Sequence, residues 1–228
     1  MKENIVTMHQ PVSYRLLLQQ MCLLPRKAIF WVEKKTLLVA DLHLGKASHF
    51  RKAGIPVPAQ VHGDDLAGLA GLVRTHGPER LLILGDLFHS DWNTDWYGFA
   101  EWLAQFPGLS VHLVKGNHDR LPDRLLAEAG IHLHPETLID PPFIFSHIPL
   151  ATPITDLYNL SGHLHPAVRL LGRGGRSLSL PCFYFGKTSG LLPAFGQFTG
   201  TALIRPRAGD AVFVASGAHV VCVSQVPE

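Results

Sequence analysis

The sequence predicts an α/β protein built from two packed β-sheets. As far as about residue 130, predicted strands alternate with predicted helices, which is typical of a mostly parallel sheet with crossover helices. Beyond that point the helical periodicity stops and short strands follow one another, which indicates a second sheet packed on the first. No Ser-, Gly- or Pro-rich linker divides the 228 residues, so we expect one domain over residues 1–228.

The composition is that of a globular protein. With 46% hydrophobic and 17% charged residues, the chain is too apolar to be disordered. No apolar run approaches the roughly 18–20 residues of a membrane span, and residues 1–7 lack the pattern of a signal peptide. Three cysteines without a CxxC pair favour reduced thiols, so we expect a cytoplasmic protein without a membrane partner.

The first half of the chain is predicted to contain both strands and helices. Residues 14–21 could form either a helical turn or a strand. Apolar strands at 28–32 and 36–40 flank three charged residues and predict a hairpin. Next we predict a helix over 59–76, a strand at 81–84, a helix capped by Asn93 or Thr94, a strand at 110–114 and a helix from Pro122 to Glu128.

The second half is predicted to consist of strands. They are expected at 131–134, 143–146, 157–161, 168–171, 177–184, 201–204, 211–215 and 219–223. Residues 172–176 contain three glycines and predict a hairpin between two of these strands. The apolar segment Leu192–Gly200 is predicted to be a structural turn that packs near the functional site.

Polar side chains follow five of the predicted strands. They are Asp41 and His43, then Asp86, then Asn117, His118 and Asp119, then His147, and last His163 and His165. The carboxyl ends of strands are where open α/β sheets place their ligands. Alternate residues of an extended segment point the same way, so we expect each Asp-x-His or His-x-His pair to lie on one side. Asp86 stands midway in the series and is predicted to bridge two metal ions.

This ordered set of motifs, over residues 36–166, closely resembles the calcineurin-like metallophosphoesterase superfamily. The resemblance implies a four-layer α/β/β/α sandwich of two mixed sheets, the metallo-dependent phosphatase fold. One departure is visible, because the second motif of the superfamily is commonly GDxxD, whereas this chain has His89 at the last position.

The same resemblance implies a role for each motif residue. One metal ion would be held by Asp41, His43, Asp86 and His165, and the other by Asp86, Asn117, His147 and His163. His118 would face the phosphate as a general acid or transition-state donor, and Asp119 would orient its imidazole. A hydroxide activated by the metals would attack the phosphodiester.

A narrower resemblance covers nearly the whole chain. Ala40–Lys46, Phe50-Arg51, Gly54–Pro58 and Leu192–Gly200 are similar to segments of the bacterial DNA-ligase-associated metallophosphoesterases, the PdeM type. That family implies a manganese-dependent DNA endonuclease acting in DNA repair, with a DNA ligase and helicase system as partner. The nitrogen and oxygen ligands alone suit Mn, Fe, Zn or Co.

Basic residues near the motifs are candidates for contacting an anionic polymer. No acid occurs at 42–63 or at 157–209, although both stretches contain Lys or Arg. The residues expected to bind substrate are Lys46, Arg51, His89, Arg173 and Arg176. They could instead form an ordinary solvated face. Trp92 and Trp96 could stack on a base or cover the neighbouring loop.

Two other functions remain open from the sequence. A small-molecule phosphoesterase or nucleotide pyrophosphatase of the same superfamily would need a closed pocket, yet no cap domain is inserted between the motifs. A non-catalytic binding scaffold with this fold would be expected to lose metal ligands, whereas every expected ligand is present.

Overall fold

In the computed structural model, residues 10–46, 61–89, 95–171 and 176–225 are described. They form three helices, which are α1 (Val61–His76), α2 (Asp95–Ala104) and α3 (Asp123–Glu128). The predicted caps of α2 and the start of the predicted first helix lie outside the described residues. None of the three helices combines the length and the apolar character needed to cross a membrane.

The first sheet has seven strands in chain order. They are β1 (Val12–Leu16), β2 (Gln19–Leu24), β3 (Ala28–Trp31), β4 (Thr36–Val39), β5 (Arg80–Leu84), β6 (Ser110–Val114) and β7 (Ile131–His134). The pairings from β1 to β4 are antiparallel and those from β4 to β7 are parallel. The predicted β3–β4 hairpin is confirmed, and residues 14–21 are strand and turn instead of helix.

The second sheet follows in the chain, as predicted, although the strand expected to begin it, at 131–134, is β7 of the first sheet. Its strands are β8 (Thr137–Asp140), β9 (Phe143–Ser146), β10 (Tyr158–Ser161), β11 (Pro166–Leu171), β12 (Ser177–Phe185), β13 (Ser189–Leu191), β14 (Ala202–Leu203), β15 (Ala211–Ala215) and β16 (Val220–Gln225). The order is β14-β11-β12-β13-β10-β9-β8, with β15 paired to β12 and to β16. The predicted α/β class with two mixed sheets is confirmed.

Two apolar layers lie on the two faces of the first sheet. Leu81 and Ile83 of β5 pack with the helices, whereas Leu82 and Leu84 pack against the second sheet. This alternation explains why the strand is a continuous apolar run, because both of its faces are buried. The described helices all pack on the outer face of the first sheet. A smaller cluster around Cys182 and Val212 covers the outer face of the second sheet.

The parallel core of the first sheet brings the polar strand ends together. β4, β5 and β6 run in the same direction, so their carboxyl ends lie at one edge. The pairing between the first two motifs continues beyond the strands: Asp41 N donates to Gly85 O at 3.1 Å and His43 N donates to Asp86 O at 2.8 Å. β9 and β10 are also parallel and deliver His147 and residues 163–165 to the same place.

Candidate metal centre

Six predicted ligands converge in two adjacent groups. One group contains Asp41, His43 and His165, and the other contains Asp86, His147 and His163. Within each group, one ligand atom per residue lies within 4.8 Å of the others, as atoms that coordinate one ion must. We refer to them as group one and group two. Asn117 joins group two, because its Oδ1 lies 3.0 Å from His147 Nε2.

Asp86 belongs to group two and also faces group one. Its Oδ2 is 3.6 Å from His43 Nε2 in group one and 3.4 Å from His147 Nε2 in group two. Its Oδ1 accepts a hydrogen bond of 2.9 Å from the backbone N–H of His118. The side chain is almost fully buried, so its charge requires compensation. One carboxylate that faces both groups is the arrangement that a shared ligand of two cations requires.

The donor atoms of group two fit a cation. His147 Nδ1 lies 2.9 Å from the carbonyl oxygen of Leu84, so Nδ1 carries the proton and Nε2 is left as an acceptor. That Nε2 faces Asn117 Oδ1 at 3.0 Å, His163 Nδ1 at 3.1 Å and Asp86 Oδ2 at 3.4 Å. So many electron-rich atoms around one point are stable only with a proton or a metal ion among them.

The atoms of group one also require a proton or a metal ion among them. Asp41 is fully buried, and its Oδ1 has no hydrogen-bond partner among the described residues. That oxygen lies 3.3 Å from His165 Nε2, whereas Oδ2 accepts a hydrogen bond from the backbone N–H of His163. A buried, unpaired carboxylate oxygen is unfavourable. A metal ion between Asp41, His43 and His165 would remove this cost, so the residues fit the ions that the family resemblance implies.

The electrostatics of the histidines agree with this arrangement. Burial, opposed by the charge of Asp86, lowers the pKa of His43 to about 3, so its imidazole is neutral and able to bind a metal. Burial also lowers the pKa of His147, but the hydrogen bond and charge of Asp86 outweigh it and raise the pKa overall. Group two without a metal therefore attracts a proton to the place that a cation would occupy.

The ligands have an unusual backbone conformation, which corrects one prediction. Positive φ angles occur at Asp41 (53°), His43 (47°), Asp86 (51°), His163 (68°) and His165 (47°). The Asp-x-His and His-x-His segments are therefore not extended, so the alternation expected of an extended segment does not apply to them. Asp41 and His43 share group one, and His163 and His165 fall in different groups, which is the division that the family resemblance implies.

Gly85 shows why a glycine precedes Asp86. Its φ is 79°, in the region that favours glycine. A Cβ at this position would also lie 2.2 Å from His147 Nδ1. The turn between β5 and Asp86 can therefore approach the imidazole of His147 only because residue 85 has no side chain.

His118 and His89 lie over group one. The ring centroids of His43 and His118 are 5.3 Å apart, and His89 stacks on His118 at 5.4 Å with an interplanar angle of 17°. His89, which stands at the position where the motif departs from the superfamily, is thus part of the site wall. Neither ring belongs to the two groups of candidate ligands.

The structure corrects the expected contact of Asp119. Its Oδ2 accepts a hydrogen bond of 2.8 Å from Gly116 N, and its Oδ1 accepts one of 3.2 Å from Phe88 N. No hydrogen bond joins Asp119 to His118 within the described part of the chain. Burial raises the pKa of Asp119 to about 6, although the hydrogen bonds from these two backbone donors act to lower it. Asp119 thus holds the loop that carries Asn117 and His118, instead of orienting the imidazole.

The candidate substrate-binding residues are only partly brought together. Lys46 lies close to the site: burial lowers its pKa, and the charges of Asp86 and Asp41 oppose that effect. Arg176 is exposed just before β12. Arg51 and Arg173 lie outside the described residues, as does Trp92.

Trp96 is buried, with only 6% of its surface exposed, and its ring lies 6.1 Å from that of Phe88. Its predicted alternative role of stacking on a base is therefore wrong.

A cavity of about 600 Å³ opens beside group two. Its lining combines polar and apolar side chains, including Lys115, Asn117, Glu136, Ile148 and Leu150. The Lys115 ammonium is paired with Asp123 at 2.5 Å. The site is thus reached from an open cleft, since Asn117 itself is exposed to solvent.

Two functional contacts have no signal in the sequence because they involve backbone carbonyls. Leu84 O fixes the tautomer of His147, as described above. Gly200 O does the same for His165, whose Nδ1 lies 3.0 Å away. In both rings the Nε2 atom is thereby directed at the candidate metal position.

Comparison with known proteins agrees with this fold. Residues 34–186 match the calcineurin-like phosphoesterase family. The match spans more than half of the chain and includes every candidate ligand, so the chain belongs to the calcineurin-like phosphoesterase family.

Among solved structures, the Pseudomonas putida nuclease MPE has a TM-score of 0.79 at 32% identity, covering 94% of this chain and 100% of that chain. The protein of unknown function AQ665 from Aquifex aeolicus has a TM-score of 0.40 at 18% identity, covering 61% of this chain and 81% of its own. Yfce, a phosphoesterase from E. coli, has a TM-score of 0.41 at 12% identity, covering 84% of this chain and 98% of its own. The last two similarities are too low to indicate function. A search of curated proteins gave no match.

Proposed function

We propose that this protein is a phosphodiesterase that cleaves DNA internally and requires two divalent transition-metal ions. The observation that carries the proposal is the position of Asp86, whose Oδ2 lies within 3.6 Å of a ligand nitrogen from each group. In group one the other ligands would be Asp41, His43 and His165. In group two they would be Asn117, His147 and His163. Manganese is proposed on the resemblance to the ligase-associated family.

The residues of the site divide the chemistry between them. When bound, the two ions would supply an activated water and neutralise charge on the phosphate. His118 lies outside both ligand groups and near His43, where it can donate a proton to the leaving oxygen. His89 stacks on His118 and limits the rotation of its ring. Lys46 adds a positive charge on the group-one side, which favours an anionic substrate.

DNA is proposed as the substrate for three reasons. The solved structure with 32% identity over 94% of this chain is that of a nuclease. The cleft beside group two is open and has both polar and apolar walls, which suits a polymer of phosphates and bases. The stretches at 42–63 and 157–209 contain no acid. A role in cytoplasmic DNA repair with a ligase and helicase system is proposed on resemblance alone.

The test is a panel of metals and substrates. Plasmid DNA, single strands, nucleotides and a phosphomonoester would each be incubated with the purified protein and Mn²⁺, Mg²⁺, Zn²⁺, Co²⁺ or a chelator. We expect conversion of supercoiled plasmid to nicked forms with Mn²⁺ and none with the chelator. Hydrolysis of nucleotides or the monoester without cleavage of DNA would instead assign a small-molecule phosphoesterase. No hydrolysis under any condition would indicate a binding scaffold.

A further inference from the structure

The segment Leu192–Gly200, which we call the strap, connects the second sheet to the first motif. Leu192 N donates to Ser161 O at 2.8 Å, at the end of β10. Phe195 N donates to Ala40 O at 2.8 Å, and Gly196 N donates to Asp41 O at 3.2 Å. The strap therefore runs beside the backbone of Asp41.

The strap also contacts a second ligand of group one. The carbonyl oxygen of Gly200 lies 3.0 Å from His165 Nδ1 and directs the other ring nitrogen at Asp41. Gly196 fits so closely that a Cβ there would lie 2.4 Å from Leu42 O. A shift of the strap would thus move Asp41 and rotate His165 together.

A half-buried lysine and a buried aspartate hold the strap from its other side. Lys27 Nζ donates to Gly196 O at 3.1 Å, and Asp65 Oδ2 accepts a hydrogen bond of 3.4 Å from Gln197 N. Burial lowers the pKa of Lys27 to about 8 and raises that of Asp65 to about 6. Placing both charges inside the protein is unfavourable, and neither group takes part in the chemistry proposed above.

Apolar packing also holds the strap, since Phe195 is 3% exposed and packs in the core beside the helices. A cavity of about 390 Å³ lies on this side of the strap, and Arg26, Lys27, Asp65 and Gln197 are among its lining residues. The contacts of Lys27 with Gly196 O and of Asp65 with Gln197 N act beside a hydrogen bond of 3.0 Å from Thr199 Oγ1 to Gly196 O.

We propose that Lys27, assisted by Asp65, is a positioning residue that sets the metal affinity of group one through the strap. The inference rests on the proposed two-metal function. Lys27 Nζ bonds to Gly196 O, Gly196 N bonds to Asp41 O, and the strap ends at the carbonyl that orients His165. Group two has its own support, since His147 is oriented by Leu84 O.

The experiment is a Mn²⁺ titration of metal-free protein by calorimetry, with reference variants that identify each binding step. His165→Ala should remove the step of group one, and His163→Ala that of group two. Lys27→Met keeps an unbranched side chain of similar length but removes the ammonium. Lys187→Met, at an exposed lysine, is the matched control.

We expect Lys27→Met to weaken the step that His165→Ala removes by about 10- to 100-fold, the usual effect of losing a residue that orients a ligand. The step that His163→Ala removes should not change, nor should the Tm of the metal-free protein. Met and Lys bear the same strain at the φ of 62° found at residue 27, so the turn itself is not perturbed.

Two results would overturn the inference while leaving the proposed function intact. In one, the wild-type protein binds two ions and Lys27→Met leaves the binding step of group one unchanged. The other is a variant in which both steps weaken equally and the metal-free Tm falls, which would make Lys27 merely structural. A wild-type protein that binds no metal would overturn the proposed function and the inference together.

Discussion

Asp86→Asn is the most direct test of the shared ligand. The substitution keeps the size of the side chain, and the amide oxygen can still accept the 2.9 Å hydrogen bond from His118 N. What it removes is the negative charge between His43 and His147, together with one strong ligand oxygen. Because Oδ2 lies within 3.6 Å of both imidazoles, the loss falls on both groups at once.

The magnitude follows from what two cations contribute. Charge stabilisation by bound metal is worth several kcal/mol, and a loss of about 4 kcal/mol corresponds to a roughly 10³-fold lower rate. We therefore expect Asp86→Asn to reduce cleavage of plasmid DNA by at least about 10³-fold at a fixed Mn²⁺ concentration. Metal content after dialysis should fall at both positions, from two ions per chain towards none.

The assay pairs elemental analysis with a plasmid-nicking time course. Asp156→Asn is the control, because Asp156 is exposed and has a φ of 62°, a conformation that asparagine tolerates well. Circular dichroism of the metal-free proteins would check that the variant is folded. If Asp86→Asn retained two ions and near-normal nicking, Asp86 would not be the bridging ligand and the assignment of both groups would have to be revised.

Three further predictions concern the proton donor, the substrate and acid stability. His118→Ala should keep both metal ions while turnover falls by about 10²–10⁴-fold, as expected for a general acid; loss of metal would instead make His118 a ligand. DNA cleavage below saturation should fall with salt, with a log–log slope of about −0.7 to −0.9 per phosphate contacted. Replacing Arg176 and Arg169, an exposed arginine of β11 within the acid-free stretch 157–209, by Ala should flatten the slope without affecting a small chromogenic diester. Equal loss on both substrates would contradict a DNA contact. Burial, with the charges of neighbouring groups, lowers the pKa of His112 from 6.5 to about 4, so the folded state favours the neutral ring. Its stability contribution is then present above pH 6.5 and lost as the pH falls towards 4, and His112→Asn should flatten the fall of the metal-free Tm over that range. If the Tm of the variant fell with decreasing pH as steeply as that of the wild type, groups other than His112 would cause the fall.

The strand ends were predictable because the physical signal is strong there. Leu81–Leu84 is apolar on both faces, so only a buried strand suits it, and the first polar residue after it must emerge at the sheet edge. The β1–β2 hairpin was ambiguous for the opposite reason. Its turn places Leu17 and Leu18 at φ 49° and 65°, where glycine or asparagine is normally found, so the sequence carries no turn signal.

The division of the ligands between the two groups came from the family resemblance, not from the residues alone. The resemblance placed His163 and His165 at different ions, and they lie in different groups. The alternation rule could not have supplied this division, because it holds only for extended backbone. The ordered motifs supplied the set of ligands, whereas the backbone between them decides which imidazole reaches which ion. The hydrogen bonds of Asp119 were not accessible to sequence, because the chemistry of a carboxylate does not reveal that its partners are the backbone amides of Gly116 and Phe88.

The contacts that support the site leave no local trace in the sequence. Lys27 reaches Gly196 across 169 positions of the chain, and Asp65 reaches Gln197 across 132. A lysine in a hairpin turn and an aspartate in the first half of a helix are both ordinary residues when read locally. Only the tertiary structure shows that they meet one segment from the same side and that this segment contacts Asp41.

The backbone of the site implies that folding and metal binding are linked. Five candidate ligands have left-handed conformations, each of which costs a non-glycine residue about 1 kcal/mol. The combined cost, roughly 5 kcal/mol, is comparable with the net stability of a whole domain. The unpaired Oδ1 of Asp41 adds to it. Since a ligand that binds only the folded state stabilises that state, bound metal offsets a cost that the metal-free protein bears alone. A substitution that weakens metal binding will therefore lower the Tm of the loaded protein even when it leaves the metal-free fold untouched, and only metal-free measurements separate the two effects.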